Sequence, residues 1–258
     1  MIRKTTLALI ALTLILGMSA VAALGQTSEV KEKPRMYSYV SNWSIPRSQW
    51  ADMEKATAST QAILEKSLAT GTLVAYGSDA NLLHEPEGST HDSWWSAMSL
   101  AGLLNVLDQI HKSDNATSPV LSSATKHWDD IYVSRYYNWH AGSWKDVYTY
   151  GSSYKLKADA PADAVDQLSK NLIVPTMEKL LADGTIHEYE IDTQAIHTQA
   201  PGTFWIFYIG ANAEALDKVN AAIRESFKAN PLGGPAFASM VDFTPHRDEL
   251  ARTNATYK

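Results

Sequence analysis

Two kinds of hydrophobic spacing alternate along the first half of the chain. Tyr37 to Trp43 alternates aromatic with small polar residues, which is typical of a β-strand. Residues 49–69 carry an apolar stripe at helical spacing, weakest in its middle, which predicts a helix. The same criteria predict, in order, strands at 72–79 and 93–98, a helix that begins at Ser99, and a strand near 131–137. The predicted order is therefore βαββαβ.

The second half presents the same succession of elements. They are, in order, a strand at 147–154, a helix from about Pro161, strands at 185–192 and 203–209, a helix that begins at Asn212, and a strand near 238–244. Pro175 lies inside the first of these helices and is expected to kink or split it, because proline has no N–H to donate. Gly71 and Gly184 follow the first helix of each half, where glycine is typical of a left-handed C-cap.

The two halves are also related in sequence. A shift of 113 residues aligns 65–113 with 178–226 without a gap, and fourteen of the 49 positions are identical. A shift of 111 aligns 36–43 with 147–154, whereas the last strands align only loosely. Such internal repetition predicts two copies of one structural unit. We expect a first module at 35–145 and a second at 146–258, the second ending in a C-terminal tail.

A βαββαβ module has its helices on one face of a four-stranded sheet, which leaves the other face bare. Two fused modules can bury these faces by packing sheet to sheet. The element order, the Leu-Ala-x-Gly-Thr sequence at 68–72 and 181–185, and the duplication carry a family resemblance. Over about 35–250 the chain resembles the dimeric α/β-barrel (ferredoxin-like) superfamily in its fused two-repeat form. The fold class implied is α+β, with two tandem ferredoxin-like modules forming a pseudo-dimeric barrel.

The resemblance implies several functions. The superfamily includes cofactor-independent monooxygenases, lactone isomerases and haem enzymes of the chlorite-dismutase type. No catalytic motif of any of these is visible in the chain. The fold alone therefore does not name a reaction.

The N-terminal segment predicts export. Arg3 and Lys4 precede an apolar run from Leu7 to Met18, and small residues follow it. This order is typical of a cleavable signal peptide, here residues 1–25, with a flexible polar leader at 26–34. The run is too short to favour a membrane span. We therefore expect a periplasmic or extracellular protein with no membrane span after cleavage; an uncleaved anchor is the alternative.

Composition excludes several classes of function. The chain has no cysteine, so disulfides, thiolate metal sites and cysteine nucleophiles are excluded. Its net charge of −6 becomes −8 without Arg3 and Lys4, which argues against a general nucleic-acid binder. No phosphate-binding glycine loop and no serine-hydrolase motif is present. Histidines and carboxylates crowd 84–92 without a metal-ligand spacing, so no metal site is predicted.

Two groups of residues are candidates for acid–base chemistry. His84 and His197 are matched by the repeat and stand at the same strand-to-turn junction, either as functional imidazoles or as hairpin caps. On the strand that contains both, His187 and Tyr189 share one face and Glu188 and Glu190 the other. The catalytic candidates are His197, His187, Glu190 and Tyr189. The alternative for the strand is an exposed edge that carries solvated charges.

Aromatic residues are concentrated in the predicted strands, which suits either a pocket or an aromatic core. The ligand-binding candidates are His84, Tyr39, Trp43, Tyr76, Trp94, Tyr150, Tyr154 and Trp205. The favoured interpretation is an exported protein that binds a small apolar or aromatic ligand between its two sheets. The alternatives are a cofactor-independent or haem-type barrel enzyme with its site in the second module, and a structural protein with a filled interface. Cofactors, reaction type and oligomeric state stay open.

Overall fold

The structure is a computed structural model that describes residues 30–113, 118–230 and 232–258, apart from the side chain of residue 54. The predicted signal peptide and residues 26–29 of the predicted leader lie outside the described residues. Residues 30–35 precede the first strand without regular secondary structure. Among the described helices, none has the length and apolar character needed to cross a bilayer.

The first half follows the predicted order of elements. Its elements are β1 (Met36–Ser44), a 3₁₀ turn (Arg47–Gln49), α1 (Trp50–Ala69), β2 (Ala75–Asn81), β3 (His91–Ala97), α2 (Leu100–His111), the short α3 (Pro119–Ser122) and β4 (Lys126–Trp139). Ser99 caps α2 by accepting a hydrogen bond from the Gly102 N–H with its side chain. Gly71 ends the α1 segment with φ of +72°, the left-handed conformation that its position predicts.

The second half repeats this order with a divided first helix. Its elements are β5 (Ser143–Trp144), β6 (Val147–Leu156), α4 (Ala164–Leu168), a π-helical turn (Ser169–Ile173), α5 (Val174–Ala182), β7 (Ile186–Gln194), β8 (Thr203–Gly210), α6 (Ala213–Ala229), α7 (Gly233–Met240) and β9 (Val241–Tyr257). The π-helical turn lies just before Pro175, whose missing N–H interrupts the helical hydrogen bonds. Asn212 caps α6, and Gly184 has φ of +76°.

Eight of the described strands close into an antiparallel barrel. The sheet order is β2-β3-β1-β4-β7-β8-β6-β9, and β2 also pairs with β9; β5 adds two residues beside β9. The first half supplies β2-β3-β1-β4 and the second β7-β8-β6-β9. The two halves are therefore joined along both edges by β4–β7 and β9–β2 hydrogen bonds. The fold is a mixed α+β fold with a closed barrel.

The α+β barrel is as expected, and the sheets of the two halves are in addition hydrogen-bonded to each other along their edges. Two sheets without these hydrogen bonds would expose four edges of unpaired N–H and C=O groups, and closure pairs them. The segment expected to be a C-terminal tail is also part of the barrel. Residues 251–257 form the last part of β9 and pair with β2, and Thr253 and Thr256 are fully buried.

The helices cover the outside of the barrel and define its main hydrophobic core. In the first half, Leu103 and Val106 of α2 and Leu64 of α1 pack against the outward face of the sheet. Tyr39, Tyr76 and Trp95 join this cluster from the strands. Because strand side chains alternate between faces, the inward face is free to carry a different chemistry.

Candidate functional site

The strands of the barrel separate two environments. On β1, Ser38, Val40 and Asn42 line the interior, whereas Tyr39, Ser41 and Trp43 line a cavity under the helices. The predicted ligand-binding aromatics consequently divide into three places. Tyr39, Trp43 and Tyr76 border the outer cavity of the first half; Tyr150 and Tyr154 border an outer cavity of the second; Trp94 and Trp205 face the interior.

The outer cavity of the first half has a volume of about 370 Å³. Its floor is the outward face of β1, β2 and β3, and its roof comes from α1, α2 and α3. Apolar side chains such as Met53, Leu64, Leu107 and Ile110 form much of its surface. This size and lining are typical of small-molecule sites.

A hydrogen-bonded network lies at one side of this cavity. Ser41 Oγ donates to Asp129 Oδ1 over 2.8 Å, and His127 Nε2 lies 3.0 Å from Ser41 Oγ and 3.1 Å from Asp129 Oδ1. The Trp43 ring stacks on the His127 ring with a centroid distance of 3.6 Å. The register of β1 and β4 sets this geometry, since it pairs Ser41 with Asp129 and Trp43 with His127.

The network holds an ionised carboxylate against a largely apolar cavity. Burial alone would raise the pKa of Asp129, but hydrogen bonds from His127, Ser41 and Tyr39 outweigh it and lower that pKa. Burial, together with the Asp129 charge, raises the pKa of Tyr39, so its hydroxyl stays protonated as a donor. Since Ser41 gives its proton to Asp129, His127 Nε2 is the donor in its own contacts. In the neutral ring, Nδ1 is then the basic nitrogen.

The second half contains a related network, in which His246 donates from Nδ1 to the Ser153 carbonyl oxygen at 2.8 Å instead of contacting the serine hydroxyl. Ser152 Oγ donates to Asp248 Oδ1 over 2.6 Å, and His246 Nε2 lies 3.4 Å from Asp248 Oδ2. Tyr154 stacks on His246 at 4.4 Å, as Trp43 does on His127. Burial, followed by the Asp248 charge and hydrogen bond, raises the pKa of Tyr150 to about 12.

This second network borders an outer cavity of about 330 Å³ between the sheet and α5, α6 and α7. The repeat shift of 111 maps Tyr39, Ser41 and Trp43 onto Tyr150, Ser152 and Tyr154. A shift of 119 maps His127-x-Asp129 onto His246-x-Asp248. We call each set a Ser–His–Asp network.

Neither histidine–aspartate pair was predicted from the sequence. The available signal was the His-x-Asp pattern at 127–129 and 246–248. The last strands of the two halves differ in length, and their His-x-Asp patterns align at a shift of 119 instead of 111 or 113. The sequence alignment of the two halves therefore did not match the two patterns. Their partners Ser41 and Ser152 lie about 90 residues away in sequence, and only strand pairing joins them.

The predicted catalytic residues do not form one site. Glu190 and Glu188 line the barrel interior. Tyr189 is directed to the other side, where its hydroxyl donates to Glu178 Oε1 of α5 over 2.5 Å. His187 stacks on Trp144 at 4.6 Å. The strand is thus not an exposed edge, because β7 pairs with both β4 and β8.

The repeat-matched histidines lie in exposed loops. His197 is exposed in the segment between β7 and β8, and His84 is exposed between β2 and β3 with its ring 4.9 Å from that of Trp50. Neither belongs to a Ser–His–Asp network. Their match in the repeat therefore reflects equivalent loop positions.

The Nε2 atoms of the two network histidines do not fit an axial haem ligand. His127 and His246 lie stacked on aromatic rings, and each places Nε2 beside a carboxylate. His246 Nδ1 also contacts the Ser153 carbonyl oxygen at 2.8 Å. A proximal histidine requires a ring nitrogen directed at the iron. We accordingly derive no step through haem.

No family model matches the sequence, and a search of curated proteins gives no match. Solved structures do match the fold. A monooxygenase-type protein from Lactobacillus acidophilus superposes with a TM-score of 0.61 at 12% identity, covering 88% of this chain and 97% of its own. An anthrone oxidase-like protein gives 0.55 at 9%, with 88% and 94% covered. A chlorite dismutase from Candidatus Nitrospira defluvii, solved with imidazole, gives 0.51 at 10%, with 84% and 90% covered. At these identities, the likeness shows a shared fold and does not name a reaction.

Proposed function

We propose that the chain is an exported barrel enzyme that binds a small aromatic molecule in the outer cavity of its first half and removes a proton from it. The observation that carries this proposal is the ionised Asp129 beside His127 at an otherwise largely apolar cavity. Monooxygenase-type neighbours with the same fold support an enzyme rather than a purely structural protein. A ligand-binding protein without enzymatic activity would bind the same molecule in the same cavity, which is also the first step of the proposed reaction.

The architecture behind this proposal is two fused ferredoxin-like repeats. Each half has the strand order second-third-first-fourth, with helices on one side only. The repeated Ser–His–Asp networks support the same division, since they occupy equivalent register positions. Export rests on residues 1–25 and is a separate part of the proposal; N-terminal sequencing of the protein recovered from the cell envelope tests it.

The cavity provides the means of binding. Tyr39, Tyr76 and Trp95 present aromatic surface, and Leu107 and Ile110 close the opposite side. Transfer of a planar aromatic molecule from water into such a site is favourable in free energy, because burial of apolar surface is the main source of affinity. Ser41 and His127 supply the polar contacts that orient it.

The chemistry follows from the protonation pattern. Because Nε2 of His127 makes the contacts with Asp129 and Ser41, Nδ1 is the ring nitrogen left to accept a proton from an acidic C–H or O–H of the bound molecule. Asp129 stabilises the imidazolium that forms, as a carboxylate does for a general-base histidine. The product is a resonance-stabilised organic anion. With dioxygen as co-substrate, an anion of this kind is the reactive species in a monooxygenase reaction.

Anthrone is a suitable test substrate, because its CH₂ group is acidic and its oxidation is balanced: anthrone plus dioxygen gives anthraquinone plus water. We expect the chain to consume oxygen and form anthraquinone, followed by absorbance. His127→Ala and Asp129→Asn should each lower kcat/KM by about 10²-fold. Glu225→Gln, an exposed change on α6 remote from the cavity, should have no effect.

Binding is measured separately by quenching of tryptophan fluorescence, since Trp43 and Trp95 border the cavity. Binding without turnover would leave the ligand-binding interpretation and remove the enzymatic one. If a chain that near-ultraviolet circular dichroism shows to be folded neither binds nor oxidises anthrone, the proposal of anthrone-like ligands is wrong.

A further inference from the structure

The interior of the barrel has a chemistry that the outer cavities lack. It encloses a volume of about 310 Å³. Among the described residues, seven carboxylates on the strands border it, namely Asp79, Asp92, Asp130, Glu188, Glu190, Asp192 and Glu249. Arg247 is the cationic side chain in its lining, and Glu85 and Glu87 add further acidic groups from the loop after β2. Burial raises the pKa of Asp79, Asp92, Glu190 and Asp192, so part of this charge is removed by protonation, and these groups can ionise only at a cost unless a counter-ion is bound.

One cation already lies inside the barrel. The Lys258 side chain is fully buried, its Nζ bonds to Glu188 Oε1, and Glu190 Oε1 lies 3.7 Å away. The same ammonium lies 4.8 Å from the ring centroid of Trp94 and 5.3 Å from that of Trp139. Carboxylates combined with aromatic faces are the surroundings that stabilise an ammonium ion.

The charge of Lys258 does not satisfy the carboxylates around it. Glu188 is 4% exposed, and its Oε2 is buried without a hydrogen-bond donor among the described residues. Asp130 is 2% exposed, and its donors Thr198 and Gln199 are neutral. Asp79 accepts from the neutral donors Trp94 Nε1 and Thr149 Oγ1, each at 2.9 Å, and is also hydrogen-bonded to Thr253 and to the carboxyl group of Asp92.

The arrangement favours an organic cation over a metal ion. The seven carboxylates are spread over β2, β3, β4, β7 and β9 and therefore surround the cavity. Within the described part of the chain, no group of three or more histidine or carboxylate side chains is placed to hold a metal ion. Trp94, Trp128, Trp205 and Phe207 supply aromatic surface between the carboxylates.

We propose that the barrel interior binds a small organic ammonium ion, and that the Lys258 side chain occupies one of its ammonium positions. This site is separate from the Ser–His–Asp networks, which lie on the other face of the strands. Opposed carboxylates on β2 and β7 suit a short diamine, with one ammonium near each wall. Exposed Glu85, Glu87, Gln199 and Arg247 border the end of the cavity at which the loops after β2 and β7 lie.

The probe is 1,4-diaminobutane, and its neutral isostere 1,4-butanediol is the control, both titrated calorimetrically at fixed ionic strength. The folded chain should bind the diamine at least about tenfold more tightly than the diol. Glu249→Gln should weaken diamine binding several-fold, because it removes a charge that borders the cavity. Lys258→Met should strengthen it by about tenfold, because it vacates an ammonium position and leaves Glu188 unpaired.

Equal or absent binding of diamine and diol in both the unmodified chain and Lys258→Met would overturn the proposal. Displacement of the diamine by an equal concentration of Mg²⁺ would overturn it in favour of a metal site. Should Lys258→Met fail to fold, the comparison of the unmodified chain with Glu249→Gln decides the question. None of these outcomes depends on anthrone turnover, so this proposal and the proposed function fail separately.

Discussion

Asp192 shows how the barrel changes the chemistry of a single residue. It is fully buried on β7 and accepts a hydrogen bond from Ser134. Burial raises its pKa to about 7, and the charge of Glu188 adds to this, while the Ser134 hydrogen bond and Lys258 oppose it. Burial and neighbouring carboxylates also raise the pKa of Glu190 and of Asp92 well above the ordinary range.

We expect the chain to lose stability as pH rises from about 4 to about 7. In this window the folded Asp192 retains a proton that the unfolded residue has already lost, so unfolding releases protons. Stability is therefore greatest below the unfolded pKa and falls as pH passes the folded one. The melting temperature should drop on the order of 5–10 °C between pH 5 and pH 8.

Thermal unfolding followed by circular dichroism measures this effect. Asp192→Asn should flatten the pH dependence, since the amide cannot titrate. Addition of 1,4-diaminobutane should also flatten it, because a bound cation favours the ionised carboxyls. A melting temperature that rises over this range would contradict the assignment of buried, protonated carboxyls.

A second residue-scale prediction concerns Gly77, which faces the interior from β2. A Cβ at this position would lie 2.5 Å from Cζ2 of Trp94 and 2.9 Å from the Ala255 carbonyl oxygen. Gly77→Ala should therefore destabilise the chain by about 1–3 kcal/mol through overpacking. Gly234→Ala is the matched control, since the nearest atom to its Cβ would be Phe227 Cδ1 at 3.7 Å. Urea unfolding of both variants distinguishes them; equal midpoints would refute the close Trp94 contact.

At the scale of elements, the two Ser–His–Asp networks result from the same pairing of a first and a fourth strand. β1 and β4 place Ser41 opposite Asp129, and β6 and β9 place Ser152 opposite Asp248. The roofs above them differ, because α1 is continuous, whereas its counterpart is divided at the π-helical turn before Pro175. The duplicated strands thus keep the polar network while the helices give each cavity its own shape.

This duplication predicts two binding events per chain. Fluorescence or calorimetric titration with anthrone should give a stoichiometry near two, and Asp248→Asn should reduce it to one without changing the KM for turnover. Asp129→Asn should lower kcat/KM by about 10²-fold and leave the second event in place. A stoichiometry of one that Asp248→Asn does not alter would mean that the second network serves packing alone.

At the scale of the whole molecule, closure depends on the end of β9. Residues 251–257 pair with β2, and Lys258 places its ammonium among the interior carboxylates. Without them the β2 edge would lose its hydrogen-bonded partner, and Glu188 and Glu190 would lose their cation.

Deletion of residues 251–258 should therefore abolish cooperative unfolding and increase aggregation, as measured by thermal melts and light scattering. Lys258→Met is the control that retains every backbone hydrogen bond of β9. It should melt cooperatively at a lower temperature, because it removes the ion pair and not the strand. A cooperative transition in the truncated chain would show that the barrel does not require this closure.

The sequence by itself determined the order of elements, the duplication, the caps at Gly71 and Gly184, and the interruption at Pro175. These depend on local spacing and backbone chemistry, which a short segment carries with it. Alternation along β7 also separated Glu188 and Glu190 from His187 and Tyr189. It did not reveal which face would be enclosed, because that depends on what pairs with the strand. Only the tertiary structure joined β4 to β7 and β9 to β2, turned residues 251–257 into a barrel strand, and brought His127 to Ser41. Those contacts connect segments about 50 to 180 residues apart, and no local pattern records which distant strand becomes the neighbour.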